Sequence, residues 1–200
     1  MKQSNELVLA TRNPHKVEEL RHMLEDLDIT IHSALDFENL EDVVEDSGTI
    51  SGNAQKKALY VHEQTGLPAL ADDTGLEVDA LEGAPGVYSS RYAGEDATYE
   101  ENVSKLLREL EGVEDNERTA RFKTVMALVT SQQKVFFEGV CDGFITKQRR
   151  GDKGFGYDPI FQPEGFNKTY AEMNAEQKNE ISHRAIALRK FLLYLENIQE

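Results

Sequence analysis

Apolar residues along the chain fall either into short continuous runs or into stripes at helical spacing, and the two kinds alternate from the start. Glu6 to Ala10 is a short apolar run that predicts a buried strand. After Pro14, the positions Val17, Leu20, Met23, Leu24 and Leu27 recur at helical spacing, so the chain opens strand, turn, helix. Ile29 to Ala34 predicts a second strand, followed by an acidic, turn-rich stretch from Asp36 to Gly52. A helix is expected from about Asn53 to Gln64, with Gly66 as its C-terminal stop.

Pro68 to Ala71 and Leu76 to Leu81 read as two further strands, and Asp72-Asp73-Thr74-Gly75 between them favours a tight turn. The Gly-containing segment Glu82 to Glu95 reads as an ordered surface loop. Thr98 with Glu101 forms a capping box, and Val103, Leu106, Leu107 and Leu110 give a helical stripe ending at Gly112. Arg118 to Ser131 and Lys134 to Ile145 are long β-type runs joined by Gln132-Gln133, an antiparallel hairpin. A Gly-rich segment, Gly151 to Asp158, follows. Ile181, Ala185, Leu188, Leu192 and Leu195 mark one face of a long C-terminal helix. Strands interleaved with helices, then a long hairpin, predict an α/β fold with a mixed central sheet and two lobes flanking a cleft.

Composition narrows the function. With 22 Lys plus Arg against 37 Asp plus Glu, the formal net charge over 200 residues is −15. Such an acidic chain is poorly suited to nucleic acid or an anionic membrane, whose phosphates are bound by clustered Lys and Arg. A small anion remains feasible where the few cations converge. Hydrophobic residues at 39% and charged residues at 30% fit a soluble globular domain. Cys141 is the only cysteine, which excludes an intrachain disulfide. The polar start from Met1 shows no export signal, and no apolar run approaches the roughly 20 residues of a membrane-spanning helix. A cytoplasmic protein is expected.

Four segments carry candidate chemistry. Thr11-Arg12-Asn13-Pro14-His15-Lys16 leads from the first strand into a helix, where backbone N–H groups, a hydroxyl, an amide and an ammonium can cradle phosphate. The same residues also suit an ordinary capped turn. Asp72 and Asp73, with Glu45, Asp46 and Glu77 nearby in sequence, supply oxygen ligands for Mg²⁺ shared with substrate phosphates, or simply an acidic turn. Phe155-Gly156-Tyr157-Asp158 places two aromatics in a loop, to stack on a nucleobase or to plug a core. Ser182-His183-Arg184, with Lys178 upstream, can read the polar edge of a base or a phosphate, or serve the helix start alone. There is no Walker loop, HExxH pair or GxSxG elbow.

The order of these segments is more specific than any one of them. Thr11-x-Asn13-x-x-Lys16, Asn53-Ala54 with Lys57-Ala58, Ala71 to Leu76, Gly83 to Tyr92, Phe155 to Phe161 and Ser182-His183-Arg184 together closely resemble the Ham1-like family of inosine/xanthosine triphosphate pyrophosphatases, over roughly Leu7 to Leu195. The resemblance implies a single-domain, homodimeric, Mg²⁺-dependent enzyme with an elongated mixed α/β sheet and two lobes around a nucleotide cleft. Its implied reaction cleaves ITP, dITP and XTP to the monophosphate and pyrophosphate, removing them from the nucleotide pool before they enter DNA or RNA.

By the same resemblance, Asp73 is the general base and a metal ligand. Thr11, Asn13, Lys16, Thr74 and Lys57 correspond to phosphate contacts, with Arg12, Pro14 and His15 in the same turn. Phe155, Gly156, Tyr157, Asp158, Lys178, His183 and Arg184 correspond to base and sugar recognition. The family often has Phe where this chain has Ile50. An ungapped match makes Glu45 the second metal carboxylate, whereas a one-residue shift selects Asp46. Two rivals remain: a Maf-like pyrophosphatase of pyrimidine or modified nucleotides, and a non-catalytic nucleotide sensor.

Overall fold

The computed structural model describes residues 5–199, so the polar start at Met1 to Ser4 lies outside the described residues. The elements run β1 (Glu6–Leu9), α1 (Pro14–Met23), β2 (Thr30–Ser33), α2 (Ile50–Thr65), β3 (Ala69–Val78), β4 (Pro85–Gly86), α3 (Tyr99–Glu109), β5 (Thr119–Val129), β6 (Lys134–Ile145), β7 (Phe161–Pro163), α4 (Ala175–Ile181) and α5 (His183–Gln199). The strands form one mixed sheet in the order β2-β1-β3-β5-β6-β7, with β4 added to β3. β1 pairs in parallel with β2 and β3, whereas β4 joins β3 and β7 joins β6 antiparallel. The expected mixed α/β architecture is present.

The chain divides into two compact units. The first comprises the chain up to Asp73, Val125–Glu138 and the chain from Ala187; the second comprises Thr74–Thr124 and Gly139–Ile186. In the first unit β1 is buried on both faces, as an interior parallel strand must be. Leu7 and Leu9 pack with Leu20 of α1, with Leu24 that caps its C-terminus, and with Leu188 and Phe191 of α5. Val8 and Ala10 face Ala54, Ala58 and Val61 of α2. Alanines on α2 and at Ala69 and Ala71 of β3 allow the helix to lie close to the sheet, because interaxial distance follows the size of the contacting side chains. In the second unit Leu76, Val103, Leu106, Leu110, Phe122, Ile145, Phe161 and Tyr170 form one core.

Three expectations are corrected. Asp72 to Gly75 is not a turn, because residues 69–78 form one continuous strand. The strand stays extended through this turn-prone stretch where contacts from outside hold it: Lys16 meets Asp72 at 3.2 Å, Lys57 meets Asp73 at 3.0 Å, and just beyond Gly75 the Ser89 hydroxyl accepts from Leu76 N at 2.8 Å. The second helix starts at Ile50 rather than Asn53, since the Thr49 hydroxyl caps it by accepting from Gly52 N at 3.1 Å. The C-terminal stripe is split at Ser182, leaving Ile181 on α4 and Ala185 to Leu195 on α5. The Glu82 to Glu95 loop also contains β4 and a 3-10 turn at Ser89–Arg91.

Candidate active site

The turn after β1 is capped. Asn13 Oδ1 accepts from His15 N at 3.0 Å and Lys16 N at 3.4 Å, and Thr11 Oγ1 accepts from Asn13 N at 3.2 Å. Pro14 takes the first helical position, where its missing N–H costs nothing. His15 is exposed, and Arg12 lies 3.9 Å from Asp42. Lys16 points its ammonium to Asp72, whose side chain is fully buried.

The acidic centre of this first unit lies where α2 faces the end of its part of β3. Lys57 Nζ donates to Glu45 Oε1 at 2.8 Å and to Asp73 Oδ1 at 3.0 Å. Asn53, one helical turn earlier, donates its Nδ2 to Asp73 Oδ2 at 3.3 Å. Asp46 turns elsewhere: exposed, it pairs with Lys56 at 2.7 Å. Glu77 belongs to the second unit and stands 3.9 Å from Arg121. Among the described residues, no group of three or more His, Cys, Asp and Glu side chains is arranged to hold a metal.

Electrostatics at the centre follow from burial. Burial pushes the Asp73 carboxyl above the usual carboxylate range, and the nearby Glu45 charge adds to this. The ammoniums of Lys57 and Lys16 oppose the shift without cancelling it. Burial alone would lower the Lys57 ammonium, but Asp73, Glu45 and Asp72 outweigh it and hold its pKa above the ordinary value. A buried carboxylate that binds a proton more readily than usual is suited to general-base work.

In the second unit Asp158 organises the aromatic loop. Its Oδ2 accepts from Lys178 Nζ at 2.7 Å and from Phe155 N at 2.9 Å. Gly154, at φ +71°, makes room for this, because a Cβ there would collide with the Asp158 carboxylate. Lys178 Nζ lies 5.2 Å from the Phe155 ring centre and the Arg184 guanidinium 5.7 Å from it, so the half-buried ring is flanked by two cations. Arg184 Nη2 reaches Thr74 Oγ1 at 3.5 Å, and Thr74 bonds Thr124 at 2.5 Å. His183 stacks on Phe122 with ring centres 4.5 Å apart and planes 18° apart. Ser182 caps α5 by accepting from Ala185 N at 3.2 Å.

Tyr157 divides from its neighbours in the motif. It is buried in the core and its hydroxyl donates to Ser89 O at 3.0 Å, so of the two aromatics Tyr157 is the plug and Phe155 the ring left half-exposed. Asn53, Phe122 and Thr124 received no role from the sequence. Asn53 belongs to the Asn53-Ala54 motif, whereas nothing local marks Phe122 or Thr124, which are buried strand residues.

The first unit thus holds a buried carboxylate with its cations, and the second unit an aromatic ring flanked by two cations. The model of the Ham1 family matches residues 7–194. A curated protein of Porphyromonas gingivalis named dITP/XTP pyrophosphatase is 51% identical over 190 residues, covering 94% of this chain and 97% of that protein. Another of that name, from Thermoanaerobacter pseudethanolicus, is 46% identical over 94% of this chain and 96% of its own length. The solved HAM1 protein of Coxiella burnetii superposes with a TM-score of 0.87 at 42% identity, covering 96% of this chain and 98% of that one. This chain belongs to the Ham1 family.

Proposed function

We propose that the chain hydrolyses the non-standard purine nucleoside triphosphates ITP, dITP and XTP to the monophosphate and pyrophosphate, clearing them before they enter DNA or RNA. The observation that carries this is the buried Asp73 carboxylate, held at one oxygen by Lys57 and at the other by Asn53. Relatives named dITP/XTP pyrophosphatase, at about half identity over nearly the whole length, supply the substrate class.

Asp73 takes a proton from water as its oxygen attacks the α-phosphorus. The bond from that phosphorus to the bridging oxygen breaks, and pyrophosphate leaves with its electron pair. Transfer at phosphorus depends on positioning and charge neutralisation rather than on a covalent nucleophile. Lys16, Lys57, Thr11, Asn13 and Thr74 hold the phosphates, and Arg12, Pro14 and His15 shape the turn around them. Phe155 offers a ring face to the base, Gly156 shapes that loop with Tyr157 beneath it, and Lys178, His183 and Arg184 supply donors for the 6-keto edge and sugar while Asp158 fixes Lys178. A standard adenine, carrying an amine at this edge, leaves such donors unmatched.

The donor set fits a divalent cation. Glu45 and Asp73 already converge on one ammonium at 2.8 and 3.0 Å, so two hard anionic oxygens meet around a positive charge. Two carboxylates completed by substrate phosphates are the usual protein share of a Mg²⁺ site. Glu45 and Asp73, rather than Asp46, would hold it, and it would supply neutralisation of the phosphate charge.

No helix among the described residues is long and apolar enough to cross a membrane. We place the enzyme in the cytoplasm as a homodimer forming one catalytic domain per chain, which light scattering of the purified protein tests. The activity is tested by pyrophosphate release from ITP, dITP, XTP, ATP, GTP and dTTP, with Mg²⁺ and with EDTA. Metal-dependent release from the inosine and xanthosine nucleotides, with little from ATP or GTP, is expected. Preference for dTTP would indicate a Maf-like enzyme, and tight binding without release a sensor; either result overturns the proposal.

A further inference from the structure

Asn53 lies in the first turn of α2, 1% exposed, and no step above uses it as a binding group. Its Oδ1 accepts from the Ser47 backbone N–H at 3.1 Å and from the Ser47 hydroxyl at 2.7 Å. A backbone N–H can only donate, so the amide end facing Ser47 must be the oxygen, and the NH₂ is thereby turned to Asp73. Ser47 is itself seated by Gly52, where a Cβ would stand 2.5 Å from the Ser47 hydroxyl oxygen and 2.8 Å from its Cβ. On the other side, Lys57 donates to Asp73 Oδ1 at 3.0 Å. The carboxylate is thus gripped at both oxygens by donors one turn apart on a single helix.

We propose that Asn53 is a positioning residue for the hydrolysis, fixing the rotation of the Asp73 carboxylate, and that Ser47 fixes the direction of the Asn53 amide. The inference rests on the pyrophosphatase reading and deepens it. Because the buried amide is committed to Asp73 and Ser47, its loss acts on the chemical step and not on nucleotide binding. A residue that orients a reacting group in this way costs roughly 10- to 100-fold in activity when removed.

The test compares wild type, Asn53→Leu and Ser47→Ala in kcat and KM for ITP, thermal midpoint, and ITP affinity by calorimetry in EDTA. Asn53→Leu keeps the side-chain size and should lower kcat roughly 10- to 100-fold with KM and metal-free ITP affinity unchanged. Ser47→Ala lies at an exposed position and keeps the backbone N–H bond, so it should lower kcat less and leave the midpoint unchanged. An unaltered kcat in both variants with an active wild type overturns the positioning role alone. So does a Ser47→Ala loss of kcat matched by falls in midpoint and metal-free affinity, which marks a merely structural bond. A wild type that releases no pyrophosphate from ITP defeats the underlying reading.

Discussion

Asp73 Oδ1 and Lys57 Nζ lie 3.0 Å apart, and both groups hold their protons more tightly than usual. For Asp73 burial is the main cause; for Lys57 the surrounding carboxylates overcome burial. The ionised Asp73 carboxylate therefore carries a stability cost, and that cost buys basicity, whereas the raised Lys57 pKa is stabilising.

Replacing Asp73 separates these effects. A carboxyl whose native pKa is raised is destabilising when ionised: the cost is present above the native pKa and absent below the unfolded one. Asp73→Asn removes the ionised carboxylate while Glu45 still holds Lys57, but an amide offers one acceptor oxygen where the carboxylate offered two, so its NH₂ faces either Lys57 or Asn53. The expected result is turnover lower by roughly 100- to 10,000-fold in a protein that still unfolds cooperatively. Unchanged ITP turnover would show that another group takes the proton.

The helix α3 was legible because its signals are local: Thr98 accepts from Glu101 N at 3.2 Å and the stripe Val103, Leu106, Leu110 is buried. The β3 segment was not, because Asp72, Asp73 and Gly75 prefer turns locally, and Asp72 and Asp73 are held by Lys16, Lys57 and Asn53, partners distant in sequence. β7 carries only three residues, one of them Pro163, too few to show alternation. At the acidic centre, Asp73 and Lys57 took separate roles from the family resemblance, and their pairing across a 16-residue separation has no periodic signature. Asn53 was visible as a motif letter, but its function depends on which way an amide faces, which only a folded neighbour decides.

Lys178 and Asp158 form a buried ion pair, with side chains 9% and 5% exposed. Removing one partner strands the other charge, at a cost of about 3–5 kcal/mol. Lys178→Met should lower stability on that scale and raise KM for ITP, because Phe155 loses the cation beneath its ring. Adding Asp158→Asn should recover part of the stability but not the affinity. Denaturant melts and ITP kinetics of wild type and the two variants check this, and Lys178→Met as stable as wild type would show the pair to be solvated.

Arg118, 3% exposed, donates to three carbonyls: Nε to Ile145 at 2.8 Å, Nη1 to Leu110 at 2.8 Å and Nη2 to Thr146 at 3.2 Å. One side chain thus ties the end of α3 to the strand hairpin of the second unit. Arg118→Met keeps much of the stem but leaves buried acceptors unmatched, which should cost about 2–4 kcal/mol. None of its partners is a proposed substrate contact, so KM for ITP should not change. A change in KM without loss of stability would refute a purely structural role.

Acid sensitivity should come from three helix caps. Asp36, Glu101 and Glu172 each accept the backbone N–H of their own cap residue, from Ser33 at 2.7 Å, Thr98 at 2.8 Å and Thr169 at 2.8 Å. Those bonds are the leading reason that all three carboxyls titrate below their ordinary values. A depressed native pKa gives stability that is fully present above the unfolded value and is lost as pH falls through the native one. The window therefore opens near 4.5 for the two glutamates, near 3.8 for Asp36, and extends downward. Glutamine at 101 and 172 accepts the same N–H at every pH, so the double variant should lose less of its thermal midpoint between pH 5 and 3 than wild type. Equal slopes in the two proteins would place the acid response elsewhere, with the remaining carboxylates.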